Sequence, residues 1–330
     1  MELFLLALFF ISITLLFLLF IKVSFFLYFS VLHQKEARAD EFNDKKICYT
    51  PSVSILVPAY NEEIVLENCV KSLIRQDYPN NYEVIIVDDG STDDTKVVGE
   101  ALAEKYSRVR FYSKVNGGKA SALNYGIQKS RGKIVVCIDA DSILADDALL
   151  HLVRPLADLS VGAVGGNVKV ANRSKLLNLH QATEYIVGLN IQRRAFSQFG
   201  CMQVISGAIG AFRKSVLVEV GGYSDDTIVE DMDITVAIAK AGYQVKFSPN
   251  AVAYTEAPES IKDFMKQRYR WTIGGFKVLK KYREMIFNKE YGRFGMVGLP
   301  YFLIFPWIDG RYPKIKTPFL SYLMIPQTAL

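Results

Sequence analysis

The first pattern in the chain is a long apolar stretch at its start. Residues 3–21 include no charged side chain, and after Lys22 a second apolar and aromatic run covers residues 23–32. At ~1.5 Å per residue in a helix, the first run nearly crosses a ~30 Å hydrocarbon core. A cleaved signal peptide is the alternative, but the positive start and the small-residue cleavage site are missing. The pattern predicts a retained membrane helix over residues 1–32.

Short apolar runs, typical of strands buried on both faces of a parallel sheet, recur after residue 51. The predicted strands cover residues 53–58, 82–87, 108–112 and 134–138. Residues 64–76 carry apolar side chains at helical spacing, and further helices are predicted to start at residues 92–95 and to cover residues 120–130. This alternation predicts a doubly wound parallel sheet. No G-x-G-x-x-G motif follows the first strand, which argues against a dinucleotide dehydrogenase.

The pattern becomes mixed beyond residue 141. Three further strands are predicted at residues 161–170, 204–212 and 243–247, and helices at residues 176–199, 214–220 and 234–241. The helix at 176–199 carries a basic pair, Arg193 and Arg194. The predicted fold is therefore α/β, with a mixed sheet.

Residues 260–286 are basic and amphipathic, which favours a helix that lies on an anionic membrane surface. An ordinary surface helix with a solvated basic face is the alternative. Gly274 and Gly275 predict a break into two helices. The apolar residues 296–308 are too few for a full span and include two prolines, so a re-entrant or incomplete membrane segment is expected.

These patterns divide the chain into five parts. The predicted parts are a membrane helix (1–32), a linker (33–50), a catalytic domain (51–255), interfacial amphipathic helices (256–290) and a short membrane-associated or truncated segment (291–330).

Composition adds little to this picture. The chain has 330 residues, a net charge of +5 and 50% hydrophobic residues. Its four cysteines form no C-x-x-C pair, so neither a zinc nor a redox site is indicated, and a reduced, cytosolic setting fits. The three histidines are far apart in sequence.

A pair of carboxylates marks the end of the strand at 134–138. Side chains alternate along an extended chain, so Asp139 and Asp141 point the same way. Two neighbouring anions require a cation, and a divalent metal ion with bound phosphates is the usual one. A loop that caps the following helix is the alternative. In an open α/β sheet, the carboxyl ends of the strands are where ligands bind.

Polar residues also follow the other predicted strands. Tyr60, Asp88 with Asp89, and the turn at 116–119 all lie at carboxyl ends or just beyond them. A tyrosine ring can stack on a base, a carboxylate can accept a hydrogen bond from a base, and Lys119 offers a positive charge to a phosphate. Together they outline a site for a nucleotide diphosphate, although each one alone also fits an ordinary turn.

Six short segments of the sequence resemble the motifs of a known family. The segments VSILVPAYNEE, VIIVDDGSTDD, NGGKASALN, DAD, VED and QRYRW occur in this order between residues 53 and 271. They resemble the family 2 glycosyltransferases, and among these the membrane-bound processive synthases of poly-N-acetylglucosamine, hyaluronan, chitin and cellulose. The segment GGKASALN is most similar to the corresponding segment of the poly-β-1,6-N-acetylglucosamine synthases. The resemblance covers residues 51–287 and implies a GT-A-type fold.

The resemblance implies a role for each matching residue. The nucleotide-sugar site would include Pro58, Tyr60, Glu62, Asp88, Asp89, Lys119, Asp139 and Ala140. Asp141, with Asp139, would hold Mg²⁺ or Mn²⁺. Asp231 would be the general base beside Glu230, in a VED segment where the family usually has threonine in place of valine. The diphosphate and acceptor side would include Ser206, Gly207, Gln267, Arg268, Arg270 and Trp271.

The last of these residues share a helix face. Gln267, Arg270 and Trp271 stand at positions i, i+3 and i+4, which places them side by side on a helix. Trp271 would offer a stacking surface to the acceptor sugar, and Arg270 and Gln267 would contact the diphosphate. The alternative is a helix that only docks on the domain through Trp271.

The function implied is that of an inverting, metal-dependent β-glycosyltransferase. It would use a UDP-sugar, UDP-N-acetylglucosamine by the resemblance, to extend a polysaccharide at the cell membrane, with the catalytic domain in the cytoplasm. Its expected partners are a polysaccharide or glycolipid acceptor, membrane lipid and a partner membrane subunit, without nucleic acid. Two alternatives remain open: transfer of one sugar to a lipid or glycolipid, and a non-catalytic scaffold that binds nucleotide.

Overall fold

The computed structural model describes residues 2–40, 42 and 48–308. The strands are β1 Val53–Ala59, β2 Tyr82–Asp88, β3 Val109–Ser113, β4 Ile134–Cys137, β5 Ile143–Leu144, β6 Val161–Val170, β7 Gly210–Arg213 and β8 Gln244–Thr255. The helices are α1 Glu2–Asp40, α2 Leu66–Ile74, α3 Thr95–Lys105, α4 Lys119–Lys129, α5 Ala148–Val153, α6 Leu176–Glu184, α7 Gln192–Phe199, α8 Lys214–Glu219, α9 Glu230–Lys240, α10 Ile261–Lys281 and α11 Leu299–Ile308.

The strands of the described residues form one mixed sheet in the order β3-β2-β1-β4-β7-β6-β8-β5. Strands β1 to β4 pair in parallel. Strand β7 runs antiparallel to both of its neighbours, β4 and β6, and β8 runs parallel to β6. The carboxyl ends of β1, β2 and β4 therefore lie along one edge of the sheet, as the sequence predicts.

Both faces of the sheet are covered. On β1, Ile55 and Val57 pack with one group of buried side chains, and Leu56 packs with the other. This alternation follows from the two-residue repeat of a strand. Helices on both sides of the sheet contribute the other buried side chains of these two groups. Both faces of the strands are therefore buried, which explains why their sequences are continuous apolar runs.

Two predicted strands differ from those in the structure. The strand predicted at 204–212 begins only at Gly210, because Ile209 N donates a hydrogen bond to the Ser206 carbonyl and closes a turn. The strand predicted at 243–247 continues to Thr255. Ser248-Pro249-Asn250 looks like a turn, but a shift in the register between β6 and β8 accommodates it within the pair.

The predicted break at Gly274 and Gly275 is wrong, because α10 continues through both residues. A Cβ atom on Gly274 would lie 2.5 Å from Val229 Cγ1, and one on Gly275 would lie 2.7 Å from the ring of Phe302. The two glycines thus let α10 approach its neighbours closely, and packing outweighs their low helix propensity.

The helix predicted over residues 176–199 is present but not uniform. Helices α6 and α7 are joined by a π-helical segment, Tyr185–Ile191. Such segments often occur at functional sites.

Helix α1 is the only helix in the described residues that is long and apolar enough to cross a membrane. It also includes residues 33–40, which the sequence assigned to a linker. The rings of Phe25 and Phe26 lie 5.3 Å from those of Phe199 and Phe196, respectively. The second half of α1 is thus packed on α7, whereas the described side chains of its first half are exposed.

Candidate active site

Lys119 connects two acidic parts of the site. It is the first residue of α4, which begins directly after the glycine turn at 116–118. Its Nζ lies 2.6 Å from Asp139 Oδ1, beyond the end of β4, and 2.8 Å from Glu230 Oε1, at the start of α9. Burial opposes the charge of Lys119, but these two carboxylates outweigh it and raise the pKa of the lysine.

Asp231 follows Glu230 in the first turn of α9. Its Oδ1 accepts a hydrogen bond from Met232 N at 2.8 Å, and its Oδ2 accepts one from Gly207 N at 3.3 Å. Burial and the neighbouring charge of Glu230 raise the pKa of Asp231 to about 6. The side chain is therefore a carboxylate near neutral pH and accepts a proton readily, as a general base requires.

Gly207 leaves room for the lysine. A Cβ atom at this position would lie 2.7 Å from Lys119 Nζ and 3.3 Å from Asp139 Oδ2. The turn at 206–209, which precedes β7, therefore brings the backbone directly against the charged groups. Any side chain here would displace Lys119.

One cavity joins these residues. It is lined by Pro58, Lys119, Leu123, Cys137, Ile138, Asp139, Ile205, Ser206, Gly207, Gly210, Phe212, Tyr223, Glu230 and Asp231. The structure thus brings seven predicted site residues together: Pro58, Lys119, Asp139, Ser206, Gly207, Glu230 and Asp231. The other predicted site residues lie outside the lining of this cavity.

Further carboxylates lie beside the cavity. Desolvation and the charges of Asp141 and Asp139 raise the pKa of Glu62 to about 7. Desolvation and Asp139 likewise raise the pKa of Asp141. The three acidic side chains are thus close enough to repel one another. In the described part of the chain, no three His, Cys, Asp or Glu side chains are placed to hold a metal ion by themselves.

Asp88 and Asp89 are buried and hold loops in the structure. Asp88 Oδ2 accepts a hydrogen bond from Ser113 Oγ at 2.7 Å. Asp89 forms an ion pair with Lys114 at 2.6 Å and accepts a hydrogen bond from Gly118 N at 2.7 Å. Asp89 therefore fixes the glycine turn that precedes Lys119. The contact that Asp89 is expected to make with the base of the nucleotide stays a prediction.

Tyr60 lies at the end of β1 and is 48% exposed, so its ring is open to a stacking partner. Ala140, between the two aspartates, is buried in the core. The roles expected of Tyr60 and Ala140 in binding the nucleotide stay predictions.

The basic residues of α10 differ in their surroundings. The guanidinium of Arg268 lies 4.4 Å from the centre of the Trp271 ring and forms an ion pair with Glu184 at 2.7 Å. Trp271 is half-buried and packs against the core group that includes Ile138 and Ala140. Arg270 is exposed, and Gln267 is half-buried with an Oε1 that accepts no hydrogen bond.

Sequence reasoning missed the contribution of the π-containing helix. Glu184 binds Arg268, Tyr185 is buried beside it, and Arg193 is buried within electrostatic reach of Asp231. The one signal in the sequence was the basic pair at 193–194, because two adjacent charged side chains on a helix that packs on the domain are expensive to bury.

Comparison with known proteins identifies the family of this chain. The sequence profile of glycosyl transferase family 2 matches residues 54–221. The poly-β-1,6-N-acetyl-D-glucosamine synthase of Staphylococcus epidermidis is 34% identical over 228 residues, which are 69% of this chain and 55% of that protein. The synthase of the same description from Staphylococcus aureus is 33% identical over the same share of each chain. This chain thus spans about half the length of the curated relatives it matches.

A solved structure resembles nearly the whole chain. The mannosyltransferase PcManGT from Pyrobaculum calidifontis, in complex with GDP-Man and Mn²⁺, superposes with a TM-score of 0.67 and is 25% identical. The match covers 90% of this chain and 87% of that one. The predicted GT-A-type fold is thereby confirmed.

Proposed function

We propose, for a chain that belongs to glycosyl transferase family 2, a specific reaction: the transfer of N-acetylglucosamine from UDP-N-acetylglucosamine to a growing β-linked polysaccharide. The observation that carries the proposal is the cavity in which Lys119 contacts both Asp139 and Glu230, with Asp231 beside them. The 34% identity to a poly-β-1,6-N-acetyl-D-glucosamine synthase supports the choice of donor and product.

The donor would bind at the edge formed by β1, β2 and β4. Tyr60 would stack on the uracil ring, with Glu62 and the Asp89 loop beside the uridine. Lys119 would place its charge near the diphosphate, because it is the one cation that contacts Asp139 among the described residues. Its positive charge would stabilise the leaving UDP as the glycosidic bond breaks.

The acidic side chains at this edge fit a divalent metal ion. Asp139 and Asp141 would supply hard oxygen ligands, and desolvation together with the neighbouring carboxylates raises the pKa of both Glu62 and Asp141, which supports a cation at this edge. Mg²⁺ is commonly held by one or two carboxylates plus substrate phosphates, so two protein ligands suffice. An Mg²⁺ or Mn²⁺ ion bound there would supply further positive charge to the diphosphate.

The acceptor would approach from the side of Asp231. Its carboxylate would take the proton of the attacking hydroxyl, and the new bond would form on the face opposite the leaving UDP. Asp139 and Glu230, the other carboxylates that line the cavity, both contact Lys119, so Asp231 would act alone as the base, and a single displacement would invert the sugar from α to β. Trp271, with Arg268 on its ring, would support the acceptor sugar.

The membrane gives the reaction its setting. Helix α1 would span the cell membrane and hold the catalytic domain at the cytoplasmic face, where UDP-sugars are made. The basic side of α10 would face anionic lipid. A partner membrane subunit would complete a path for the polymer.

Turnover by the full chain in detergent or lipid vesicles tests the function. UDP release is measured with a panel of UDP-sugars and with Mg²⁺, Mn²⁺ or excess chelator, and the product is sized on a gel. UDP-N-acetylglucosamine with metal is expected to give polymer. Preference for another UDP-sugar, full activity in chelator, or no turnover at all would each contradict one part of the proposal.

A second reaction, transfer of a single sugar to a lipid or glycolipid, deserves a direct test. The structural similarity to PcManGT, a mannosyltransferase solved with GDP-Man, extends over 90% of this chain. GDP-mannose therefore belongs in the donor panel. A product with one added sugar, rather than a ladder, would favour this reaction.

A further inference from the structure

Arg193 is a buried cation without a hydrogen-bond or ion-pair partner among the residues that the structure describes. It lies in the first turn of α7 and is 8% exposed. Its Nη1 is inaccessible to water and donates no hydrogen bond. No ion pair joins Arg193 to any residue that the structure describes.

The neighbouring arginines show how unusual this is. Arg194 is half-buried and donates hydrogen bonds to Gln34 and to Asn190 Oδ1, and Arg268 is paired with Glu184. Burying a charge without a partner costs several kcal/mol, so an unpaired arginine weakens the fold unless something else requires it. The unpaired, buried Nη1 of Arg193 therefore points to a ligand rather than to a structural role.

The surroundings of Arg193 indicate which ligand. Burial lowers the pKa of Arg193 to about 10, and the negative charge of Asp231 acts against this. Tyr185, at the start of the π-helical segment, is also within electrostatic reach of Arg193 and Arg268. Arg193 is thus within electrostatic reach of the proposed base Asp231 and of Tyr185, which also interacts with Arg268, whereas Lys119 contacts Asp139 on the proposed donor side.

We propose that Arg193 binds the acceptor sugar, donating hydrogen bonds to its oxygen atoms while the attacking hydroxyl lies at Asp231. The inference rests on the proposed function in that the ligand is a sugar acceptor. The π-helical segment Tyr185–Ile191 directly precedes α7, and such segments often occur at functional sites.

Two variants and one matched control test this. Arg193→Met removes the charge at similar length, and Arg193→Lys keeps it without the fork of N–H groups. Arg194→Met is the control, because it changes the adjacent arginine, whose partners are known. For each chain, we would measure binding of a β-1,6-linked N-acetylglucosamine tetrasaccharide, binding of UDP, acceptor KM and kcat, and the unfolding temperature.

Arg193→Met is expected to weaken tetrasaccharide binding and raise the acceptor KM roughly 10- to 100-fold, the loss of one hydrogen bond to a charged group. Its UDP affinity should stay that of the wild type. Its unfolding temperature should be equal or higher, because an unpaired buried charge has been removed. Arg193→Lys should recover part of the binding, and Arg194→Met should bind the tetrasaccharide as the wild type does.

Three results would overturn the inference. They are unchanged tetrasaccharide binding in Arg193→Met, an equal loss of UDP affinity, and a lower unfolding temperature that accounts for the loss. Because sugar binding is measured directly, a chain that turns over no UDP-N-acetylglucosamine would refute the proposed reaction and still decide the role of Arg193.

Discussion

Lys119 Nζ lies 2.6 Å from Oδ1 of Asp139, a carboxylate predicted to hold the metal ion. The same ammonium group contacts Glu230, next to the proposed base. One lysine therefore links the donor side of the site to the acceptor side, and its position depends on the two carboxylates and on the small size of Gly207.

Replacing Lys119 tests this link. Lys119→Met should lower kcat for transfer about 100-fold or more, because a positive charge near the leaving diphosphate is lost and Asp139 and Glu230 repel each other. Steady-state UDP release measures the effect. Lys133→Met, at an exposed lysine before β4, is the control, and a Lys119→Met enzyme with wild-type kcat would exclude Lys119 from the reaction.

Asp231 is expected to be needed for chemistry but not for nucleotide binding. Asp231→Asn should reduce transfer by about 100- to 10,000-fold, the usual contribution of a general base. UDP affinity, measured by calorimetry, should remain nearly unchanged. Substantial residual transfer would remove Asp231 from the role.

Gly207 should tolerate no side chain. In Gly207→Ala, the added Cβ would lie 2.7 Å from Lys119 Nζ, so the flexible lysine would move and the chain should still fold. A shift of about 1 Å in a catalytic group can cost about 100-fold in rate, and a loss of this size is expected in kcat. Gly188→Ala is the control, because a Cβ there meets no atom within 4 Å.

The pH profile should report the base. Burial and Glu230 raise the pKa of Asp231 to about 6, so the carboxylate gains its proton as the pH falls through that value. Transfer should be constant above this pH and fall about tenfold per unit below it, because the protonated acid cannot accept a proton. The measurement is kcat/KM against pH. A flat profile down to pH 4.5 would contradict the assignment.

Lys281 is expected to matter for stability rather than activity. Its Nζ lies 3.0 Å from Oδ2 of Asp233, which is 2% exposed, and this pair joins α10 to α9. Lys281→Met leaves the buried carboxylate without its cation, at a cost of about 3 kcal/mol in the free energy of unfolding. Urea unfolding measures it. Lys277→Met, at an exposed lysine on the same helix, should change the stability by less than about 0.5 kcal/mol.

Much of the fold could be read from local pattern. The strands before Asp88 and Asp139 are continuous apolar runs, and β6 begins and ends at the predicted residues. Local pattern failed where contacts distant in sequence decide the structure. Gly274 and Gly275 look like a break until Val229 and Phe302 are seen against them.

The site shows the same division. The motifs indicated Lys119, Asp139, Glu230 and Asp231, but no spacing could reveal that one lysine holds carboxylates from two elements. Arg193 was visible only as half of a basic pair. Its burial and its missing partner are properties of the packed structure.

Helix α1 is continuous from Glu2 to Asp40, and the rings of Phe25 and Phe26 pack its second half against α7. If the first half of α1 is inserted in a bilayer, the helix joins the rest of the protein to the membrane without a flexible linker. The insertion depth and tilt of α1 would then set the distance between the active site and the lipid surface. Bilayer thickness would therefore change this distance without any lipid contact at the active site.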